Sequence, residues 1–252
     1  MRLILISTAI AVTACSGDDG TANSTPVPPA DPGITLIHDI QGPGSSSPLN
    51  GEDVTVDGVV TGDFQEGDSD QARNLGGFYI QNAPDTEAST SDGVFVFDGA
   101  DPATDVDVGD LVRVVGTVDE YFGETQVSAS MVTVIGNGAI SPVPVTFPVA
   151  TATNSDGEKI ADLESYEGML VTFPQTLTIS QLRNLERYGE ILLSQGGREF
   201  SYTNLNAPDV AGYSAHVDSV TTRRIYLDDG LRSENSAVPQ SVRNGDEITW
   251  AV

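Results

Sequence analysis

Short runs of alternating apolar and polar residues, broken by Gly, Pro, Asp and Asn, mark most of the chain after Gly33. Val54-Thr55-Val56-Asp57-Gly58-Val59-Val60 alternates with a period of two, and its internal glycine suits a strand that bends at a barrel corner. Gly77–Gln81 and Gly93–Phe97 are shorter apolar runs, separated by the turn-rich stretch 82–92. Val108–Val118 alternates again, and after the Phe122-Gly123-Glu124 turn comes Thr125–Ser128, with Met131–Ile135 extending that strand or adding another. About five short strands without a long helical period predict a small closed or partly open barrel. A β-sandwich stays open as the alternative, because strand periodicity does not show closure.

A similar order of segments returns after the proline-punctuated connector 140–145. Tyr166–Phe173 stands where the first strand stood, Gly189–Ser194 and Arg198–Tyr202 follow, and Arg223–Gly230 reads as a further strand and turn. Asn244–Val252 opens on Gly245-Asp246, as Val108–Val114 opens on Gly109-Asp110. The expectation is an all-β chain of two consecutive small barrels, residues 34–138 and 139–252. The second is expected to be incomplete, since its matching strand has no closing partner, so the chain is expected to be the front of a longer protein. Helix is expected to be minor, with Lys159–Tyr166 the best candidate.

The N-terminus carries Arg2 and an apolar run from Leu3 to Thr13, shorter than the roughly 20 residues that span a bilayer. The run ends in Val12-Thr13-Ala14-Cys15, which resembles the lipobox of bacterial lipoproteins. That resemblance implies a signal peptide over residues 1–14, cleavage before Cys15, and acylation of its sulfur and amine. Several acyl chains anchor a domain firmly, at about 0.8 kcal/mol per buried CH₂. Ser16 after the cysteine points to the outer membrane or cell surface. Residues 15–33, rich in Ser, Thr, Gly and Pro, then form a flexible tether.

Charge narrows the chemistry. The chain has 37 acidic residues against 11 Lys and Arg, a formal charge of −26, which argues against a generic phosphate binder. The 38% hydrophobic content is too high for disorder driven by charge. A single cysteine excludes an intrachain disulfide and any Cys-based zinc cluster. No G-x-S-x-G, G-x-x-x-x-G-K-[ST] or H-E-x-x-H motif occurs. The acidic groups Asp63/Glu66/Asp68/Asp70 and Asp101/Asp105/Asp107/Asp110 lack the D-x-D-x-D-G loop of a Ca²⁺ site and read as solvated surface.

Several stretches together resemble the opening of secreted bacterial nucleases of the endonuclease/exonuclease/phosphatase superfamily. They are Ile37-His38-Asp39-Ile40-Gln41-Gly42, Val56–Gln65, Gly76–Gln81, Thr90–Val96 and Val108–Val114, and most specifically Tyr166–Gln175 with Arg187–Ser194 and Arg224–Gly230. The resemblance implies an OB-fold-like accessory region ahead of a metal-dependent nuclease domain, with Mg²⁺ or a similar ion at that downstream catalytic site. It implies extracellular DNA or RNA degradation by the whole protein, the membrane reached through the lipid anchor and the nuclease domain supplied in cis. The superfamily's Asn, Glu, catalytic His and Asp/His pair are not found in this chain, whose two histidines are His38 and His216. His38 has no acid or base partner apparent in sequence and is expected to be structural. His216 is expected in a loop, and neither carries a catalytic or metal-binding role. From Glu52 to Glu124 there are 18 acids against Arg73 and Arg113, so the first barrel is poorly suited to nucleic acid. The candidates for nucleic-acid contact are Arg183, Arg187, Tyr188 and Arg198, with ordinary salt-bridged surface as the competing reading. The other reading of the whole chain is a non-enzymatic surface lipoprotein that binds a polymer, glycan or protein.

Overall fold

A computed structural model describes residues 2–4, 33–65, 74–154, 157–231, 234–235 and 247–248. Cys15, the tether up to residue 32, Glu66, Asp68, Asp70, Arg73 and Trp250 lie outside the described residues. The chain is mostly β in character, with few and short helices among the described residues. In order the elements are β1 (Arg2–Ile4), α1 (Ile37–Gln41), β2 (Asp53–Phe64), β3 (Gly77–Gln81), β4 (Gly93–Phe97), β5 (Asp110–Tyr121) and β6 (Glu124–Asn137). Then come β7 (Val143–Pro144), β8 (Thr151–Thr153), β9 (Lys159–Ala161), a 3₁₀ turn (Glu164–Tyr166), β10 (Val171–Thr172), β11 (Leu177–Gln181), α2 (Leu185–Tyr188) and β12 (Ile191–Gln195). The last are α3 (Tyr202–Leu205), α4 (Val210–Thr221), β13 (Arg224–Asp228) and β14 (Glu247–Ile248).

Strands β2 to β6 close into a barrel in the order β2-β3-β4-β6-β5, which removes the sandwich alternative for this region. Every neighbour pair is antiparallel except β4 and β6, which run parallel. The alternation seen in sequence is the alternation of burial. Val54, Val56 and Val60 of β2 and Val112, Val114 and Val118 of β5 point inward with Phe78, Ile80, Val94, Val96 and Val127, while their neighbours face out. Ile37 and Ile40 of α1 add to the same core. Closure needs sharp curvature, and three register shifts provide it, at Val60/Gly62, Leu111/Val112 and Val115/Gly116. A Cβ at Gly116 would run into the Ser128 carbonyl, and one at Gly77 into the Val96 carbonyl, so both positions admit only glycine.

The second region has its own core of Val145, Phe147, Leu163, Val171, Phe173, Leu177, Ile179, Ile191, Leu193, Ile225 and Leu227. It does not repeat the barrel. Its main sheet is five-stranded and mixed, ordered β1-β13-β12-β11-β14, and is not closed among the described residues. The long strand expected at Tyr166–Phe173 is reduced to β10, which pairs with β7 instead of joining the sheet. The 3₁₀ turn before it, a left-handed Gly168 (φ +69°) and Pro174 after it explain the shortening. Arg198–Tyr202 is not a strand, and Lys159–Tyr166 is not a helix but β9 and the 3₁₀ turn. The longest helix is α4, where a loop was expected; its Asp209 N-cap accepts the Gly212 N–H at 2.5 Å. β1 lies within the expected signal peptide and runs parallel to β13, Leu3 opposite Leu227.

Candidate functional site

The two regions meet on the outer face of β3 and β4. Alternation turns Phe78, Ile80, Val94 and Val96 into the barrel, so Tyr79 and Phe95 face outward. Tyr79 packs on Phe95 (ring centroids 4.9 Å) and edge-on to Phe64 (5.9 Å). Phe64 and Phe95 are buried although they lie outside the barrel core. Specific hydrogen bonds hold the second region beside these strands. Leu170 N–H donates to Gln81 Oε1 (2.8 Å), Ser91 Oγ donates to the Glu167 carbonyl (2.6 Å), and Asn74 N–H donates to the Gly230 carbonyl (3.1 Å). Gly93 and Gly168 touch backbone to backbone, with no room for a side chain at Gly93.

Carboxylates fill this seam. Glu167 is buried and accepts the Thr125 N–H at 2.8 Å, and no cation among the described residues figures in its electrostatics. Burial, reinforced by Glu164, Glu124 and Glu120, pushes its pKa up to about 8, with the Thr125 hydrogen bond pulling the other way. Tyr79 donates its hydroxyl to Glu124 Oε1 (2.8 Å), and burial raises its pKa well above the phenol range, with Glu124, Glu167 and Asp228 adding to the effect. Glu120 accepts from Ser47 N–H (2.6 Å) and Thr125 Oγ1 (2.9 Å). Glu124 thus raises the pKa of both Glu167 and Tyr79. Sequence reasoning missed this cluster, since nothing local marks Glu167 as one of the few carboxylates taken out of water.

A second cluster sits on the other side of β4. His38 of α1 places Nδ1 2.6 Å from Asp85 Oδ2, and Asp92 completes a group whose ligand atoms lie within 4.8 Å of one another. The expectation that His38 has no acid partner is therefore corrected: the 82–92 loop folds back through Asn82 N–H to the Asp92 carbonyl (3.0 Å) and brings Asp85 against it. Among the described residues these three are the only His/Asp/Glu group spaced to hold a metal ion. His216 lies in α4, not in a loop, with its ring 5.7 Å from that of Tyr202.

The four candidates for nucleic-acid contact lie on the second region. Arg187 is held by Glu234 through two hydrogen bonds (2.9 and 3.2 Å) while stacking over Tyr188 at 4.8 Å. Arg198 stacks over Phe200 at 5.1 Å, and Arg183 is exposed. Arg223 donates to the Gln195 carbonyl (2.7 Å). Arg183 lies just before α2, Arg187 in α2, Arg198 between β12 and α3, and Arg223 between α4 and β13.

One further exposed feature stands apart. The β5–β6 hairpin turns on Phe122 and Gly123, both with positive φ (+52° and +82°), and Phe122 is 95% exposed beside Tyr121 (4.7 Å, edge-on). Asn-Gly is the favoured pair for such a turn, so a phenylalanine there carries backbone strain and an exposed ring together.

No helix among the described residues is long and apolar enough to cross a membrane. No family model, curated protein or solved structure matches the chain.

Proposed function

We propose that this chain is the accessory, non-catalytic region of an extracellular metal-dependent nuclease, anchored through Cys15, in which an OB-type barrel spaces and orients a catalytic domain lying in cis. The strand order β2-β3-β4-β6-β5, with its single parallel pair, supports the OB assignment. The nuclease connection rests on the resemblance of Tyr166–Gln175 and the companion segments. Mg²⁺ or a similar ion would supply phosphodiester hydrolysis in the catalytic domain.

The observation that carries the spacer role is the covered face. OB barrels bind oligonucleotides on the face of their second and third strands and on the loops beside it. Here those strands are β3 and β4: Gln81 and Ser91 at their ends bond Leu170 and Glu167 of the second region, and Tyr79 sits among the carboxylates of Glu124, Glu167 and Asp228. A strand of DNA would have to displace the second region and enter a field of like charge.

Two measurements test the reading. Coding sequence beyond codon 252 that specifies a domain with the Asn, Glu, His and Asp/His metal site supports it, and a stop codon in an intact gene overturns it. With Mg²⁺ present the purified chain is expected to leave single- and double-stranded DNA intact and to show no saturable binding at physiological salt. Metal-dependent cleavage would refute the non-catalytic assignment. The exposed Tyr121–Phe122 pair among Asp119, Glu120 and Glu124 favours the second reading, a surface lipoprotein that binds an uncharged or cationic polymer. Glycan or protein binding abolished by Phe122→Asn would establish that reading instead.

A further inference from the structure

We infer that His38, Asp85 and Asp92 form a binding site for a divalent transition-metal ion, with Zn²⁺ the best match, which clips the 82–92 loop onto α1. Three donors converge from two separate segments: His38 Nδ1 from α1, and one carboxylate oxygen each from Asp85 and Asp92. One neutral imidazole and two carboxylates carry the −2 charge that a divalent ion neutralises. Imidazole selects Zn²⁺ and its neighbours over Mg²⁺ and Ca²⁺, which prefer all-oxygen shells. Two donors bound to one ion at about 2.0–2.1 Å stand about 3.3 Å apart, so the 2.6 Å contact between His38 and Asp85 would open by less than about 1 Å.

The surroundings are arranged as a metal site requires. Asp85 uses Oδ1 to accept the Glu87 N–H (2.6 Å), which leaves Oδ2 aimed at His38. His38 Nε2, on the far side of the ring, lies 3.6 Å from Asp39 Oδ1, within charge attraction but beyond hydrogen-bond distance. Asp92 is buried and accepts the Asp85 N–H at 3.3 Å. His38 and Asp85 are each about 30% exposed, so an ion has a path in and room for water as a further ligand.

Such a clip would act on more than the loop. Ser91 and Gly93, on either side of Asp92, are the residues that hold the Glu167–Gly168 segment, and Gln41 of α1 donates to the Gly93 carbonyl at 2.6 Å. Fixing Asp92 to α1 therefore fixes the barrel's side of the seam.

The test uses the full chain in a Cys15→Ser background, which removes the one thiol, after stripping with EDTA. Titration with Zn²⁺ followed by calorimetry is expected to show one site per chain. At a hundredfold excess over Kd, Tm should rise by about 5–10 °C, while Mg²⁺ at the same concentration leaves it unchanged. His38→Gln and Asp85→Asn should each weaken Zn²⁺ binding at least tenfold and abolish the Tm rise. Circular dichroism of the metal-free variants identifies any that fails to fold, and the folded one decides. Absence of saturable binding, equal responses to Zn²⁺ and Mg²⁺, or unchanged affinity in a folded variant would each overturn the assignment, the last because the ion then sits elsewhere among the chain's acids.

Discussion

The two regions are both strand-rich, but they solve the problem of sheet edges differently. In the barrel every strand from β2 to β6 has a partner on both sides, and the long β5–β6 pair runs from Asp110–Asn137 to Tyr121–Glu124. In the second region the sheet ends on two- and three-residue strands, β14 and β1, each pairing on one side. The barrel is thus self-contained inside and dependent outside: its core needs nothing further, whereas its outward rings need a neighbour. The second region supplies that neighbour by placing a turn, not a strand, against β3 and β4. Where two similar barrels were expected, the described residues show one closed barrel and one open mixed sheet.

The largest expected effect separates the cores. Phe78→Ala empties the middle of the barrel and should cost about 3–5 kcal/mol. Hydrogen exchange should then speed up across β2–β6 more than across β11–β13. Equal acceleration in both would mean that the seam makes them a single cooperative unit.

Next comes the seam itself. Because the folded protein raises the Glu167 pKa from 4.5 to about 8, the native state holds this proton more tightly than the unfolded chain. The group therefore favours the fold below about pH 4.5, and stability should fall as pH rises toward 8, by an amount on the order of 2–4 kcal/mol. Glu167→Gln keeps an oxygen for the Thr125 N–H and cannot ionise. It should match the parent in Tm at pH 5 and exceed it at pH 9; identical pH profiles would contradict the assignment.

Smaller effects bear on the surface. Phe122→Asn should stabilise by about 0.5–1 kcal/mol, since asparagine tolerates the left-handed turn that phenylalanine does not. A loss of stability there would mean the ring packs on something in the folded protein. Arg187→Ala should leave Tm unchanged within error, because its bidentate pair with Glu234 is exposed. A measurable drop would show that the α2 region is held from outside.

The barrel was legible because one of its faces is uniform. Inward valines alternate with solvated residues, so period two shows directly, and β3 and β4 have the spans expected for them. In the second region β11 and β12 are buried on both faces over Leu177–Ser180 and Ile191–Ser194, which erases alternation and leaves only apolar runs. Helix α4 escaped notice because its valines, threonine, glycine and serines favour no helix, and only Val220 and Thr221 are buried. The partners of His38 were invisible for another reason. Asp85 and Asp92 stand in a loop of many polar residues with no ligand spacing, and only the hydrogen bond that closes that loop singles them out. Glu167 looked like one acid among 37.

The aromatic trio Phe64, Tyr79 and Phe95 has a practical outcome for anyone who excises the barrel. A fragment ending near residue 138 would keep its interior intact but present three rings to water, on a molecule whose remaining surface repels its own copies. Salt would mask the repulsion and leave the rings free to find one another, so such a fragment should clump as ionic strength rises, where the whole chain stays dispersed.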